Sequence, residues 1–263
     1  MLVSGQGFEA NTRVDIYFDK KDETHVITDG QGRFKDVNAY APRSARPGQY
    51  WVTALERNND KRAQKPFLVQ TNWTQFHFEA GGTRLNPYEN VLYTKNAGDL
   101  SLKWGYVTAG SSINSSPAVV NGVVYIGSCA DLSGYVYALD ARTGDVKWVY
   151  TTGGCVGSEP AVVDGVVYVG SDDWNVYALN AASGHLLWSY ATGYWVVAAP
   201  AVANGMVYIG SYDGYFYALD ARTGAKLWSY RFGTSSGGYV AASAVVVNGV
   251  VYDQSEDGTL RNL

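Results

Sequence analysis

Ser116-Pro-Ala-Val-Val-Asn-Gly-Val-Val-Tyr-Ile-Gly-Ser128 opens a phrase that closes as Val136-Tyr-Ala-Leu-Asp-Ala-Arg-Thr-Gly-Asp-Val-Lys-Trp148. The chain writes this phrase three times. The second and third copies begin at Pro160 and Pro200 and end at Trp188 and Trp228, so the tryptophans stand 40 residues apart in both steps. A fourth copy starts near Ser243 and runs to Leu263 before reaching a Thr-Gly and Trp of its own. A period of this length is four short strands plus their turns, the unit of a β-propeller blade.

The second copy shows how each blade is expected to fold. Residues 160–163, 166–171, 176–180 and 185–190 read as four strands, the last carrying Trp188. Asn-Gly and Asp-Gly between apolar runs signal tight hairpins, because both turn residues take φ > 0. They recur at Asn121-Gly122, Asp164-Gly165, Asn204-Gly205 and Asn248-Gly249. Residues 96–104 read as the last strand of a further blade, ending in Trp104. Sixteen strands would then be present, enough for about four blades if the N-terminal strand completes the C-terminal one.

Composition agrees with an all-β chain. The 263 residues include 21 Tyr, 8 Trp and 30 Gly, and 46% are hydrophobic. Aromatic residues suit strands and glycine suits turns. The net charge is −4, split as +1 over residues 1–80 (11 basic, 10 acidic) and −5 over the remainder (9 basic, 14 acidic). No basic stripe points to nucleic acid. No apolar run approaches the ~18 residues of a spanning helix, and the first residues lack the basic and apolar regions of a signal peptide. The start reads as the middle of a β-domain, and the end falls inside a repeat. A fragment of a longer protein is therefore expected.

Residues 1–70 read as a sandwich of short strands. Val14-Asp-Ile-Tyr-Phe18 alternates like a half-buried strand, and turns lead into strands at Asp29-Gly-Gln-Gly32 and Pro47-Gly48. Gly5, Gly7, Phe8, Asp29, Gly32, Phe34, Pro47, Gly48 and Tyr50 together resemble the Ig-like modules of bacterial surface proteins, with the usual first strand missing ahead of Met1. Residues 71–90 form a connector, with Trp73, Phe76 and Phe78 expected to plug onto the repeats that fill residues 91–263.

The Ala-Leu-Asp-x-x-Thr-Gly-x-x-x-Trp phrase resembles that of the PQQ-like propellers. That superfamily includes pyrroloquinoline-quinone alcohol dehydrogenases and a non-enzymatic lipoprotein of the outer-membrane barrel-assembly machinery. The resemblance implies that Trp148, Trp188 and Trp228, and Trp104 with them, dock each blade on its neighbour. It also implies seven or eight blades in a complete ring, so the chain is expected to hold part of one. Quinone-dependent members use an Asp base, a calcium held by Glu and Asn, and a disulfide between adjacent cysteines. This chain has no adjacent pair, and no cofactor is expected.

The remaining candidates are few. His25, His77 and His185 lack the spacing of a zinc site, and no metal is expected. Asp140, Asp173, Asp213, Asp220 and Asp257 recur at turn positions, where carboxylates cap backbone N–H groups. Glu159, at the head of a strand, is a possible ligand-binding group. One face gathers Trp174, Tyr194, Trp195, Tyr212 and Tyr239. Exposed aromatic rings on a rigid scaffold suit stacking on sugars or on a partner's apolar side chains. Trp174 stands where other copies have Gly214 and Gly258. In the packing alternative, Asn175 takes the strained turn conformation and Trp174 merely covers the next blade. Cys129 opens one loop and Cys155 lies in the next, both on one face at one blade junction. The Cys129 loop is three residues longer than its counterparts. A Cys129–Cys155 disulfide and an oxidising compartment are expected, against two free thiols in a reducing one.

These readings converge on an extracytoplasmic, non-catalytic binding or scaffolding protein with a protein or polysaccharide partner. A piece of a quinoprotein dehydrogenase and a dedicated polysaccharide-binding module are the alternatives.

Overall fold

The computed structural model describes residues 2–40, 48–69, 73–75, 97–232 and 238–263. It divides into two compact units, residues 1–71 with 87–100, and residues 72–86 with 101–263. Phe76 and Phe78 lie outside the described residues, as do most of the connector and residues 41–47.

Among the described residues the first unit holds six strands: β1 (Leu2–Gly5), β2 (Arg13–Phe18), β3 (Lys21–Ile27), β4 (Phe34–Asn38), β5 (Gly48–Glu56) and β6 (Lys61–Val69). β1 pairs with β4, and a second antiparallel sheet runs β3-β2-β5-β6. Alternate residues of a strand face opposite ways. Val14, Ile16 and Phe18 thereby reach a core shared with Phe8, Phe34, Val52 and Ala54. Asp15 points the other way. It is fully buried, and its carboxylate is matched by Arg13 at 2.7 Å and by Arg57.

The second unit is built from the repeats. Blade I comprises β7 (Ala118–Val120), β8 (Val123–Ala130), β9 (Ser133–Asp140) and β10 (Val146–Thr152). Blade II comprises β11 (Ala161–Val163), β12 (Val166–Gly170), β13 (Asn175–Asn180) and β14 (Leu186–Ala191). Blade III comprises β15 (Ala201–Ala203), β16 (Met206–Gly210), β17 (Tyr215–Asp220) and β18 (Lys226–Arg231). Each is a four-stranded antiparallel sheet in sequence order. Blade IV has three strands, β19 (Val245–Val247), β20 (Val250–Gln254) and β21 (Leu260–Asn262).

The core lies between blades, not within them. In β12, Val167 and Val169 face blade I and pack with Val136, Ala138 and Trp148. Tyr168, between them, faces blade III and packs with Val207, Ile209 and Leu219. Period-2 alternation thus serves two junctions from one strand, which is why these strands are apolar at nearly every position.

The tryptophans lock the junctions. The Trp148 indole N–H donates to the Ala181 carbonyl at 2.9 Å, and that of Trp188 to Ala221 at 3.0 Å. Each ring lies on a glycine of the next blade. A Cβ on Gly184 would sit 2.7 Å from the Trp148 ring, and one on Gly224 2.6 Å from Trp188. Trp148 and Trp188 are buried, whereas Trp228 is half-buried beside Tyr208 and Phe216.

Trp104 docks in the same way, donating to Ala141 at 3.0 Å over Gly144. The strand expected to end there is not formed. Residues 101–108 run without a ladder partner, and Trp104 is held by its indole instead. The segment therefore adds no strand to blade IV.

Three successive residues cap the inner strands. Trp73 exchanges backbone hydrogen bonds with Val119, the Thr74 carbonyl accepts from Val162, and the Gln75 side-chain oxygen accepts from Val202. Val119, Val162 and Val202 are the middle residues of β7, β11 and β15, one per blade.

Candidate functional site

The turn aspartates build the face on which the candidate site lies. Asp173 Oδ2 accepts from Gly153 N and from the Tyr177 hydroxyl, both at 2.7 Å. Asp213 Oδ2 accepts from Gly193 N at 2.7 Å and the Tyr217 hydroxyl at 2.6 Å. Each carboxylate thus clips its own blade to the connection from the preceding one. Burial, and then the charged partner, push the Tyr177 and Tyr217 phenols well above their usual range. Asp140 and Asp220 cap the Thr-Gly turns at the far end of the blade. The backbone N–H of Arg142 leads the interactions that lower Asp140 to about 2.

On the clipped face, five rings form one continuous row. Trp174 stacks on Tyr194 at 5.9 Å, Tyr194 on Trp195 at 5.0 Å, Trp195 lies 6.1 Å from Tyr212, and Tyr212 stacks on Tyr239 at 5.0 Å. Trp174 comes from the turn after β12, Tyr194 and Trp195 from the II–III connection, Tyr212 from the turn after β16, and Tyr239 from the III–IV connection. Trp174 is 47% exposed, Trp195 41% and Tyr239 42%, a level at which a second molecule can cover the rings without the fold opening.

The backbone beneath the row is pinned. Trp195 O accepts from Tyr212 N at 2.9 Å, and Tyr239 O accepts from Glu256 N at 3.0 Å. Trp174 itself adopts φ +75°, in the left-handed region, as Gly214 and Gly258 do at the matching turns. The alternative in which Asn175 takes that conformation does not hold. Two bonds from Thr192, both 2.8 Å to the Trp174 carbonyl, keep the strained turn in place. A bulky residue in this region costs on the order of 1–3 kcal/mol.

Carboxylates flank the row. The Tyr212 hydroxyl donates to Glu256 at 3.4 Å. Burial leads the upward shift of the Tyr212 phenol, with Glu256 and Asp172 adding to it. Asp172 is itself raised, first by burial and then by Asp173. Glu159 is also raised by burial, but it stands apart from the row, in a cavity it shares with Asp253.

The disulfide lies on the same face. Cys129 and Cys155 are bonded, with Cα atoms 4.3 Å apart. Cys129 sits inside β8, opposite Gly134, and not in a loop. The three extra residues lengthen β8 and β9 by further ladder pairs, so the expected longer loop is absent. Cys155 O accepts from Asp172 N at 2.9 Å, as Trp195 and Tyr239 do from the next two blades. The bridge therefore occupies the place in the first junction that the aromatic residues occupy in the later ones.

Two residues of interest escape sequence reasoning, although the repeats contain the signal. Val251-Tyr-Asp-Gln-Ser255 replaces Val-Tyr-Ile/Val-Gly-Ser of the other copies. Asp253 and Gln254 thus break the pattern in adjacent positions. Among the described residues no three His, Cys, Asp or Glu gather as metal ligands, and no helix is long and apolar enough to cross a membrane. The cysteines are not an adjacent pair; their bond links β8 to the I–II connection.

A family model described as outer membrane protein assembly factor BamB matches residues 132–263. Among solved structures, BamB from Moraxella catarrhalis is 30% identical over 62% of this chain and 49% of its own, with a TM-score of 0.54. The quinohemoprotein alcohol dehydrogenase ADHIIG from Pseudomonas putida HK5 is 26% identical over 70% of this chain and 34% of its own, with a TM-score of 0.62. The corresponding enzyme from Comamonas testosteroni is 25% identical over 70% and 35%, with a TM-score of 0.61. The chain spans about half the length of the Moraxella protein and about a third of the two dehydrogenases. No curated protein matches it. With its repeats folded as PQQ-like propeller blades and half its length matched by the family model, the chain belongs to the family of outer membrane protein assembly factor BamB.

Proposed function

We propose that this chain is a non-catalytic, extracytoplasmic scaffold that docks a protein partner on the aromatic row. The observation that carries the reading is the row itself: five adjoining rings, stacked in three of their four contacts, crossing two blade junctions on backbone fixed by hydrogen bonds. Rigid, half-exposed aromatic residues bury much surface at little entropic cost, as binding hot spots do. The family name, an assembly factor, favours a protein partner. The recurring carboxylates support a non-catalytic role, because Asp140, Asp173, Asp213 and Asp220 are already used as turn caps and blade clips. The interblade disulfide supports an oxidising location. On this reading the first unit is an Ig-like spacer module.

The near-parallel stacking of Tyr212 and Tyr239, 21° between planes, also favours a second reading, a polysaccharide laid along the row. A photo-crosslinking residue placed at position 195 in the cell of origin separates the two. A protease-sensitive adduct, absent when the crosslinker is placed at Leu187, is expected. An adduct sensitive only to glycosidases would transfer the row to the polysaccharide reading, and no adduct would remove it as a docking face.

A further inference from the structure

The repeats supply an internal control for each position of a blade. The place of Asp253 is held elsewhere by Ile126, Val169 and Ile209. That of Gln254 is held by Gly127, Gly170 and Gly210, and that of Glu159 by Ser116, Ala199 and Ser243. These are apolar or small residues because the position lies at a packed junction. In this chain all three departures from the pattern line one cavity of about 510 Å³, on two different segments of the propeller unit.

Asp253 is only 2% exposed, and neither carboxylate oxygen has a hydrogen-bond partner of good geometry, the Gln254 backbone N–H offsetting its burial only in part. A buried carboxylate is ordinarily paired. Its cross-strand neighbour Arg261 does not serve. That guanidinium lies over the rings of Tyr230 and Phe232, at 5.6 and 5.3 Å from their centroids, and makes no ion pair with Asp253. Glu159 is the second carboxylate of the cavity and is half-buried. The rest of the lining is mainly apolar, with Val197, Ala241, Ala242, Val245 and Leu260 beside Ser243.

We infer that this cavity binds an organic cation, an ammonium or guanidinium group on a short apolar stem, held between Glu159 and Asp253 with Gln254 as a further acceptor. An ammonium offers three N–H donors, which matches two carboxylates and one amide oxygen. The apolar lining fits an alkyl stem. A hard divalent metal fits less well, since calcium takes six to eight oxygen ligands and magnesium a strict octahedron. The described residues bring no third acidic or histidine ligand here. The site lies apart from the aromatic row, so the inference stands whether or not the row docks a partner.

Titration of the isotopically labelled chain with n-butylammonium and with agmatine tests it, read as shifts of the Ala241, Ala242 and Val245 backbone amides. Saturable shifts at these amides are expected with both probes. Asp253→Asn and Glu159→Gln should each weaken binding at least tenfold. Asp253→Ile restores the residue of blade III, so it should abolish binding while leaving the spectrum of the rest of the propeller in place. Three results would overturn the assignment: no saturable shift with either probe, unchanged affinity in both carboxylate variants, or saturation by calcium at lower concentration than by either amine.

Discussion

At the scale of single residues, the junction tryptophans combine apolar burial with one directed hydrogen bond. Trp188 is buried between blades II and III and donates to Ala221. Trp188→Ala should destabilise the propeller by about 3–5 kcal/mol, as other large core truncations do. Trp188→Phe keeps most of the ring and should cost less, since the lost hydrogen bond is worth about 1 kcal/mol. Urea titrations of both variants check this, and a Trp188→Ala loss under about 1 kcal/mol would show that the ring does not lock the junction. The docking was legible because the tryptophans share one register with a glycine 36 residues downstream, Gly184 after Trp148 and Gly224 after Trp188. Trp228, 40 residues after Trp188, is only half-buried, beside Tyr208 and Phe216. The strained Trp174 was half-legible. A non-glycine at a glycine position marked the place, but only the φ angle showed that Trp174 itself carries the strain.

At the scale of elements, blade IV carries a liability that the other blades lack. Asp253 on β20 is pushed up to about 7, chiefly by burial. In the unfolded chain it titrates near 3.8. Because the folded value is the higher, the fold favours the protonated form. The contribution of Asp253 to stability is therefore greatest at acidic pH, falls as pH rises above about 4, and levels off above about 7. The interval from 3.8 to about 7 corresponds to about 4 kcal/mol. Arg261, opposite it in the ladder, and Glu159, which lines the same cavity, do not pair with it. Asp253→Asn should abolish most of the fall in stability between pH 5 and pH 8. A profile identical to that of the parent would mean that Asp253 is not buried without a partner. Blade I is reinforced in the opposite sense. The disulfide ties β8 to the connection leading into blade II across 26 residues. A loop of that size is worth roughly 3 kcal/mol on the chain-entropy model. Cys129→Ser with Cys155→Ser should lower stability by about that amount under oxidising conditions and make the chain indifferent to dithiothreitol. A parent protein equally indifferent to the reductant would show the bridge to be absent. The pairing of these cysteines could be argued from strand direction, but the strand extension could not. Extra residues in a turn look alike in sequence whether they loop out or add ladder pairs.

At the scale of the whole molecule, the 40-residue period was sufficient to reach a β-propeller, because each repeat buries its faces only against its neighbours, and the Ala-Leu-Asp-x-x-Thr-Gly-x-x-x-Trp phrase carried the resemblance to PQQ-like blades. What the period conceals is everything that differs between copies. The aromatic row could be anticipated, since its members fall on turns and connections that emerge together. The cavity of Glu159 and Asp253 was not anticipated, since its residues are far apart in sequence and only a residue-by-residue comparison of repeats exposes them. On the proposed reading, the aromatic row is the docking surface. Selection of binders from a random extended-peptide library, followed by affinity measurement on single-residue variants, tests it most directly. The account predicts that Trp195→Ala and Tyr239→Ala each weaken the selected peptides at least tenfold, while Leu187→Ala, exposed on the outer strand of blade II, leaves them unchanged. Peptides that bind all three variants as tightly as the parent would contradict it.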